Sequence, residues 1–366
     1  MNISIEKKIL SEAVAQVIRF SEKRQSTLAT LAGIAVVADT SGIFLRATNL
    51  ETGINLKIEG QVKGEGTLVL PAHTFREITA SFSGSGAVVI EGEGDTAKVR
   101  VEGTGTTLKT LPYEDFPSIA MPEEGKISLS LPGVILRSLI TSTAPYASTS
   151  TVRPELASVL FLAEGGVVKM VATDSFRLAE KKTSVKETIK PFSLLIPAKN
   201  ALDIAQTLPD SDVQITADDH QCAFSFGKGI AVTRLTNATY PDYTSIIPKK
   251  FSAEAQVLRK DIEAALRRAA IFSDQFQKVR LGFDGVKKKV TLAARNSDVG
   301  EIGETIPASL SGEALELSFN HRYLSAPLST LTQESISLSA AGIGRPLIIR
   351  GQGDSSFLYL VMPMNQ

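Results

Sequence analysis

The side chains that could support catalysis are few in this sequence, and they do not cluster. The best candidate is Asp174, in Ala172-Thr173-Asp174-Ser175, because a carboxylate that follows an apolar strand can act in acid–base chemistry. Two similar segments hold Asn49 and Asn296 at the corresponding position. Asn and Asp both cap turns through their side-chain oxygen, so turn capping explains all three residues better than catalysis does.

Other reactive sites also lack the patterns they require. No loop has the phosphate-binding form G-x-x-x-x-G-K-[ST], and the Gly-x-Gly pairs lie between strands. The three histidines are scattered, and the acidic pairs Glu123-Glu124 and Asp218-Asp219 adjoin no histidine or third carboxylate. The single cysteine, Cys222, lies in an alternating stretch typical of a buried strand. We therefore expect no cofactor, no metal site and no enzymatic activity.

The three similar segments belong to a repeat that covers the chain. Leu45-Arg46-Ala47-Thr48-Asn49-Leu50 recurs at residues 170–175 and 292–297, at nearly equal intervals. A second marker, an apolar strand that leads into a helix, recurs with the same period at residues 68–72, 195–199 and 317–321. Self-similarity at a fixed period indicates repeated structural units. The sequence therefore predicts three tandem domains, at residues 1–122, 126–249 and 251–366.

Each repeat predicts an α+β domain with two helices packed on antiparallel sheets. Apolar residues at helical spacing predict six helices, near residues 6–19, 72–82, 132–143, 198–208, 258–272 and 320–331. Pro327 should kink the last helix or mark its first turn, since proline lacks the backbone donor. Between the helices, stretches rich in Thr, Val and Ile and separated by glycine turns predict hairpins, as at Gly92-Glu93-Gly94 and Gly227-Lys228-Gly229.

The composition indicates a soluble protein. Hydrophobic residues make up 43% of the 366 residues, and no apolar run approaches the roughly 20 residues that span a bilayer. The amino-terminal residues lack the basic and apolar regions of a secretion signal. We therefore expect a cytoplasmic protein without membrane contact.

Charge is balanced over the whole chain but not within the predicted helices. The 39 basic and 39 acidic residues give a formal net charge of zero. The predicted helices hold eleven basic side chains against six acidic ones. Ordinary solvated helix faces explain this surplus equally well. If the helices share one surface, that surface would attract a phosphate backbone.

Three motifs carry a resemblance to a known family. They are Val-Ala-Thr-Asp-Ser-Phe-Arg-Leu-Ala at 171–179, Asn-Ala-Thr-Tyr-Pro-Asp-Tyr at 237–243 and Val-Met-Pro-Met at 361–364. In these motifs, and over its whole length, the chain resembles the beta subunit of bacterial DNA polymerase III, the sliding clamp. The resemblance implies a non-catalytic processivity factor, in which two three-domain subunits close head to tail into a homodimeric ring around duplex DNA. The bare strand edge expected at each end of the chain gives a physical reason for closure.

The resemblance also implies which residues approach DNA. The two helices of each domain would line the ring, where positive charge without base-reading side chains attracts DNA of any sequence. The predicted DNA-binding residues are Arg24, Arg76, Arg137, Ser150, Arg153, Lys199 and Arg322. Pro154 and Glu155 depart from the family, which often has aromatic residues there.

A second implied site is a pocket between domains 2 and 3 that receives short peptide motifs. Its partners would be the polymerase III alpha subunit, the clamp loader, other polymerases and mismatch-repair proteins. Carried over residue by residue, the pocket contains Leu156, Thr173, Ser175, Phe176, Arg177, Leu178, Pro241, Ile246, Phe276, Pro346, Leu360, Val361, Met362, Pro363 and Met364. For Leu178 and Leu360, a place in a core strand is also plausible. The flexible thioethers of Met362 and Met364 suit a pocket that accepts several partners.

The rim of the pocket departs from the family pattern. The family frequently has Gly-His where Ser175-Phe176 stand, a basic residue near Ser245 and a small apolar residue near Gly344. Phe176 should make the pocket more apolar. Its motif preference could therefore differ from that of well-known relatives.

Two other classes of function stay open on the sequence alone. A β-rich adhesion or scaffold protein could use the same pocket without DNA, and an enzyme could hold an unrecognised site. The absence of a secretion signal counts against the first class. The absence of a catalytic constellation counts against the second.

Overall fold

The computed structural model describes residues 1–22, 28–82, 86–123, 127–186 and 189–364. The chain divides into two compact units, and each contains parts of the middle sequence repeat. Unit 1 comprises Met1–Ser138 and Lys199–Asn237, and unit 2 comprises Leu139–Ala198 and Ala238–Gln366.

Unit 1 contains a five-stranded and an eight-stranded antiparallel sheet. The five-stranded sheet consists of β1 (Asn2–Glu6), β5 (Gln61–Gly64), β7 (Ala87–Glu93), β8 (Thr96–Val101) and β9 (Thr104–Lys109), in the order β5-β1-β7-β8-β9. The eight-stranded sheet consists of β2 (Gly33–Asp39), β3 (Gly42–Thr48), β4 (Thr52–Ile58), β6 (Gly66–Pro71), β10 (Ile127–Pro132), β15 (Asp212–Ala217), β16 (Gln221–Phe226) and β17 (Gly229–Arg234). Its order is β10-β15-β16-β17-β4-β3-β2-β6, so strands of the first two repeats pair directly in one sheet.

Unit 2 contains a nine-stranded and a four-stranded antiparallel sheet. The nine strands are β11 (Ser158–Glu164), β12 (Val167–Thr173), β13 (Arg177–Ser184), β14 (Phe192–Pro197), β18 (Ala253–Leu258), β22 (Ser309–Gly312), β24 (Ser335–Ala340), β25 (Leu347–Gly351) and β26 (Phe357–Val361). Their order is β14-β11-β12-β13-β26-β25-β24-β18-β22. The smaller sheet, in the order β21-β20-β19-β23, consists of β19 (Lys278–Asp284), β20 (Lys289–Asn296), β21 (Gly300–Pro307) and β23 (Leu315–Asn320).

The α-helices of the described residues lie at the six predicted places, which confirms the helix prediction. They are α1 (Lys7–Val17), α2 (Ala72–Ser81), α3 (Gly133–Thr141), α4 (Ala198–Ala205), α5 (Arg259–Ala269) and α6 (His321–Ser325). Most are shorter than predicted, because the last turn often continues as a 3-10 helix. After α6, Pro327 lies in the 3-10 segment Ala326–Ser329, where its missing donor is tolerated.

The helices are held by their apolar faces. Leu10, Val14 and Val17 of α1 are completely buried, and Ile262 and Leu266 of α5 are nearly so. Each such side chain stabilises its unit by about 1.5–3 kcal/mol relative to an exposed position. The amphipathic pattern therefore fixes which helix face meets the sheet.

The predicted buried strand position of Cys222 is confirmed. Cys222 lies in β16 with no exposed surface, and burial raises the pKa of its thiol. A protonated, inaccessible thiol is unreactive. The predicted glycine turn at Gly94 is also confirmed. Gly94 lies between β7 and β8 and has a φ of 60°, a left-handed conformation that glycine adopts readily.

Candidate functional site

The turns that follow β3 and β12 share one hydrogen-bonding pattern. Asp174 Oδ1 accepts bonds from the backbone N–H groups of Phe176 and Arg177, both at 3.0 Å. In unit 1, Asn49 Oδ1 accepts the equivalent bonds from Glu51 at 3.0 Å and Thr52 at 2.7 Å. The prediction that these residues cap turns is confirmed.

The shared turn also fixes the backbone at its tip. Leu50 has a φ of 71° and Ser175 has a φ of 78°, a left-handed conformation that non-glycine residues rarely adopt. The hydrogen bonds of the neighbouring threonine and the capping side chain hold it in place. In unit 2, this conformation places Phe176 at the surface immediately before β13.

The carboxyl-terminal residues of unit 2 are docked beside this turn. Val361 pairs with Arg177 at the end of the β13–β26 ladder. The Met362 N–H then donates to the Phe176 carbonyl at 2.8 Å, and the Met364 N–H donates to the Ser318 carbonyl at 2.8 Å. These bonds fix the backbone of Met362 next to Phe176 and that of Met364 next to Ser318.

Arg177 is held by one carboxylate and two aromatic rings. Its Nε atom donates to Asp174 Oδ2 at 2.8 Å. Its guanidinium carbon lies 4.8 Å from the ring centroid of Tyr323 and 5.4 Å from that of Tyr146. Burial is the largest single influence and opposes the charged form, but the hydrogen bonds and charges of Asp174 and Tyr359 together outweigh it, so the pKa of Arg177 lies above its usual value. Arg177 is therefore a permanently charged and positioned group.

Phe176 presents a large apolar surface beside Tyr323. Its ring stacks on Tyr323 with centroids 6.3 Å apart and an interplanar angle of 25°, yet 59% of the residue is exposed. A large exposed aromatic side chain on a fixed backbone is typical of a binding surface.

A small apolar cluster lies beneath this surface. Leu178 is directly opposite Leu360 in the β13–β26 pairing, and both are buried in this cluster. The half-buried side chains of Tyr240, Ile247 and Met362 pack against it. Because these three are partly exposed, they form an apolar floor over the cluster, and Met362 joins it to Phe176 through its backbone bond.

The structure separates the predicted pocket residues by exposure. Exposed residues are Ser175, Phe176, Pro241, Ile246 and Phe276. Half-buried residues are Arg177, Pro346, Met362, Pro363 and Met364. Buried residues are Leu156, Thr173, Leu178, Leu360 and Val361. The buried side chains are inaccessible, so only the exposed and half-buried residues could contact a peptide directly.

Tyr323 and Tyr146 were missed by the sequence reasoning. Both rings contact Arg177, and Tyr146 also donates to the Ala326 carbonyl at 3.1 Å. The one sequence feature that could have drawn attention to this contact is Tyr323 itself, an aromatic residue in a short helix next to the predicted DNA-binding Arg322. No sequence pattern connects either tyrosine to residue 177.

A basic surface lies where α5 and α6 meet in unit 2. A cavity of about 500 Å³ is lined there by Arg259, Arg267 and Arg322, with Glu263 as its single carboxylate. Glu263 lies 3.3 Å from Arg267 and 3.7 Å from Arg259. Three guanidinium groups around one carboxylate leave a positive surface that suits a phosphate backbone.

The other predicted DNA-binding residues are dispersed. In unit 1, Lys199 is exposed on α4, Arg76 is paired with Glu77 at 2.7 Å, and Arg137 is paired with Asp210 at 3.0 Å. In unit 2, Ser150 is exposed and Arg153 is paired with Glu155 at 2.9 Å. Arg24 lies outside the described residues. Of these pairs, Arg76–Glu77 is well exposed on both sides, whereas Arg137 also donates to the Leu208 carbonyl at 2.6 Å and the Glu155 side chain is only 18% exposed.

No cluster of three or more His, Cys, Asp or Glu side chains that could hold a metal ion occurs among the described residues. Asp174, the best catalytic candidate of the sequence, is fully used by its turn and by Arg177. The described part of the chain also has no helical segment with the length and hydropathy of a membrane span.

Family models match the chain along almost its whole length. Residues 1–121 match the N-terminal domain of the DNA polymerase III beta subunit, residues 130–242 its central domain and residues 244–365 its C-terminal domain. The beta sliding clamp of Vibrio cholerae is 27% identical over 369 residues and covers 100% of both chains. That of Bacillus subtilis is 27% identical over 379 residues, covering 100% of this chain and 99% of the relative.

Solved structures agree with the sequence comparisons. The crystal structure of a Pseudomonas aeruginosa sliding clamp bound to griselimycin has a TM-score of 0.93 at 25% identity and covers 100% of both chains. The Bacillus subtilis sliding clamp has a TM-score of 0.92 at 27% identity, covering 100% of this chain and 99% of the other. The predicted fold of three tandem α+β domains with antiparallel sheets is confirmed.

Proposed function

Because the chain belongs to the DNA polymerase III beta subunit family, the sliding clamps, we propose that two copies close head to tail into a ring around duplex DNA. The chain is a sliding clamp, a non-catalytic processivity factor of the replicative polymerase. Acting in the cytoplasm, the ring would hold the polymerase near the primer end and so raise its effective concentration there.

Two strand edges support ring closure. In the described part of the chain, β9 is the last strand of its sheet in unit 1, and β21 is the last strand of its sheet in unit 2. A free strand edge invites pairing with another chain. Ile271, which is 65% exposed, follows α5 and adds an apolar side chain near β21. Pairing β9 of each copy with β21 of the other covers both edges and closes a symmetric dimer.

The basic surface between α5 and α6 supports contact with DNA of any sequence. Arg259, Arg267 and Arg322 offer charge to phosphates, with Lys199 as an exposed basic residue on α4. We propose that Arg24, Arg76, Arg137, Ser150 and Arg153 add further contacts. Contacts to phosphate alone position DNA without selecting a sequence, and this permits sliding.

The docked carboxyl-terminal segment beside Phe176 carries the proposal for partner binding. We propose that the surface formed by Phe176, Arg177, Ile246, Phe276 and Met362 receives short peptide motifs. The partners would be the polymerase III alpha subunit, the clamp loader, other polymerases and mismatch-repair proteins. An apolar floor with one fixed cation suits an apolar peptide that also carries an acceptor group.

Retention on DNA tests the ring. The clamp is assembled on nicked circular DNA by the clamp loader, and half of the sample is then linearised. We expect long retention on the circle and rapid loss from the linear form, because only a free end releases a closed ring. Equal retention on the circular and the linear DNA would contradict the ring proposal.

Deletion of residues 362–366 tests the peptide pocket separately. The deletion removes the Met362 and Met364 backbone bonds but leaves β26 complete. Binding of a polymerase-tail peptide should disappear while sedimentation still shows a dimer. Unchanged peptide affinity would remove the carboxyl-terminal segment from the pocket.

A further inference from the structure

Unit 1 has a cavity that the proposed function does not use. Its volume is about 370 Å³, within the range of sites that bind small molecules or peptide side chains. Residues of the segment 113–121 form one wall, and side chains of β3, β4 and β17 form the floor. All of these residues belong to unit 1.

The wall is fixed to the rest of unit 1 at both ends. Near its start, Thr30 Oγ1 donates to the Asp115 carbonyl at 3.1 Å. At its end, Gln221 Nε2 donates to the Met121 carbonyl at 2.7 Å. Between them, Ile119 packs over Gly53, where an added Cβ would lie 2.9 Å from Ile119 Cγ2. The cavity is therefore built into the fold.

The floor of the cavity carries positive charge. Arg46, Asn55 and Ile230 lie side by side on adjacent strands. Arg46 Nε donates to Asn55 Oδ1 at 3.2 Å, and across the described chain this is the only hydrogen bond of that guanidinium. Arg46 and Lys57 each lie 5.9 Å from the Phe44 ring centroid on the same sheet face. The cavity lining contains no carboxylate.

The wall segment of this cavity and the turn after β3 have counterparts in unit 2, but the residue on the floor differs. The wall residues Tyr113-Glu114-Asp115-Phe116-Pro117-Ser118-Ile119 correspond to Tyr240-Pro241-Asp242-Tyr243-Thr244-Ser245-Ile246, which borders the proposed partner pocket. The turns after β3 and β12 match in hydrogen bonds and in φ. By this alignment, Arg46 takes the place of Val171, which is completely buried in the apolar cluster of unit 2.

We infer that the unit 1 cavity binds a short acidic peptide segment in which glutamate or aspartate adjoins a bulky apolar side chain. The free Nη atoms of Arg46 bind the carboxylate, and Lys57 adds attraction at the edge. The apolar side chain lies against Ile119, Met121 and Ile230. The mixed lining of one guanidinium with apolar walls favours such a peptide over nucleic acid, which needs a row of basic groups. The unit 1 cavity shares no lining residue with the proposed partner pocket of unit 2.

Fluorescence anisotropy tests the inference with the full-length clamp. The probe is a fluorescein-labelled peptide amide, Gly-Ser-Glu-Leu-Glu-Ile-Gly, and its twin carries glutamine at both glutamate positions. We expect saturable binding of the acidic probe. The twin should bind at least about tenfold more weakly, since the loss of one charge-assisted hydrogen bond reduces affinity by about this factor. Arg46→Met should weaken binding of the acidic probe by a similar factor. Arg100→Met, an exposed arginine of the same unit, serves as the matched control and should leave the affinity unchanged.

The variants separate the two pockets. Phe176→Ala alters the partner pocket of unit 2 and should not change binding of the acidic probe. Absence of saturable binding, or equal affinity of the Arg46→Met variant and the unaltered clamp, overturns the inference. Loss of binding in Phe176→Ala alone would assign the probe to unit 2, and this also overturns it. Displacement of the probe by a single-stranded oligonucleotide in the unaltered clamp but not in Arg46→Met would place nucleic acid in the cavity instead.

Discussion

The Arg177 guanidinium lies over the ring of Tyr323, 4.8 Å from its centroid, although the two residues are far apart in sequence. Asp174 fixes the orientation of this contact through its bond to Arg177 Nε at 2.8 Å. The turn that caps β13 therefore also positions the cation of the proposed partner pocket. Asp174 therefore caps the turn through Oδ1 and holds Arg177 through Oδ2, and only the capping role is shared with Asn49.

Asp174→Asn should separate these two functions. The amide oxygen can still cap the turn, as it does at Asn49, but the ion pair with Arg177 is lost. We expect binding of a polymerase-tail peptide to weaken by about three- to tenfold, because Arg177 loses its charged partner and its fixed position. Isothermal titration calorimetry gives the affinity. Asn49→Asp is the matched control in unit 1, and an equal loss of affinity in both variants would contradict the role of the ion pair.

Phe176→Ala should reduce peptide affinity with little effect on folding. The ring is 59% exposed and stacks on Tyr323, so its removal exposes little core. An aromatic side chain at the centre of an interface contributes more than about 1 kcal/mol, which is at least about fivefold in affinity. Surface plasmon resonance with the immobilised peptide measures the change. Val286→Ala, at a residue 94% exposed in the same unit, should bind as the unaltered protein does.

Unchanged affinity of Phe176→Ala would remove the ring from the proposed pocket. A large fall in the melting temperature would instead assign Phe176 a structural role. The expected result is a lower affinity at an unchanged melting temperature, since few buried contacts are lost.

Much of the fold could be predicted from local patterns. The stripe of Leu10, Val14 and Val17 predicted α1, and it is the buried face. The repeated Thr-Asn or Thr-Asp segment predicted the turns after β3 and β12, because an Asx cap depends only on neighbouring backbone groups. These features need no information about distant residues.

The site could be predicted only in part, because it depends on contacts between distant segments. Tyr146, Arg177 and Tyr323 come together only when their strands and helix pack. The burial of Leu178 and Leu360 depends on their register in adjacent strands, which neither strand specifies alone. The division of the middle repeat between two units follows from sheets that continue across repeat boundaries. Local periodicity cannot predict that strands of different repeats, such as β4 and β17, pair with each other.

The basic surface of α5 and α6 predicts a salt-dependent interaction with DNA. Arg267→Gln combined with Arg322→Gln removes two charges from the cavity that contains Glu263. We expect the slope of log affinity against log salt to fall by about 2, about one for each lost phosphate contact. Loading on nicked circular DNA at increasing salt measures it. Arg280→Gln, an exposed arginine paired with Glu316 in the same unit, is the matched control. Equal slopes in all three proteins would exclude this surface from the DNA path.

We predict that His321 makes the stability of unit 2 depend on pH. Its Nε2 lies 2.7 Å from Gln277 Oε1, and burial followed by the charge of Arg322 lowers its pKa below the usual value. In the unfolded chain the imidazole returns to a pKa of about 6.5 and binds a proton more readily than in the folded chain. The free energy of unfolding should therefore be constant above about pH 6.5 and fall as the pH drops below it. Urea unfolding at pH 8 and pH 5.5 measures this change, and His321→Gln should lose less stability between them because it keeps an amide near Gln277 without titrating. An equal loss in both proteins would show that other groups, and not His321, titrate in this range.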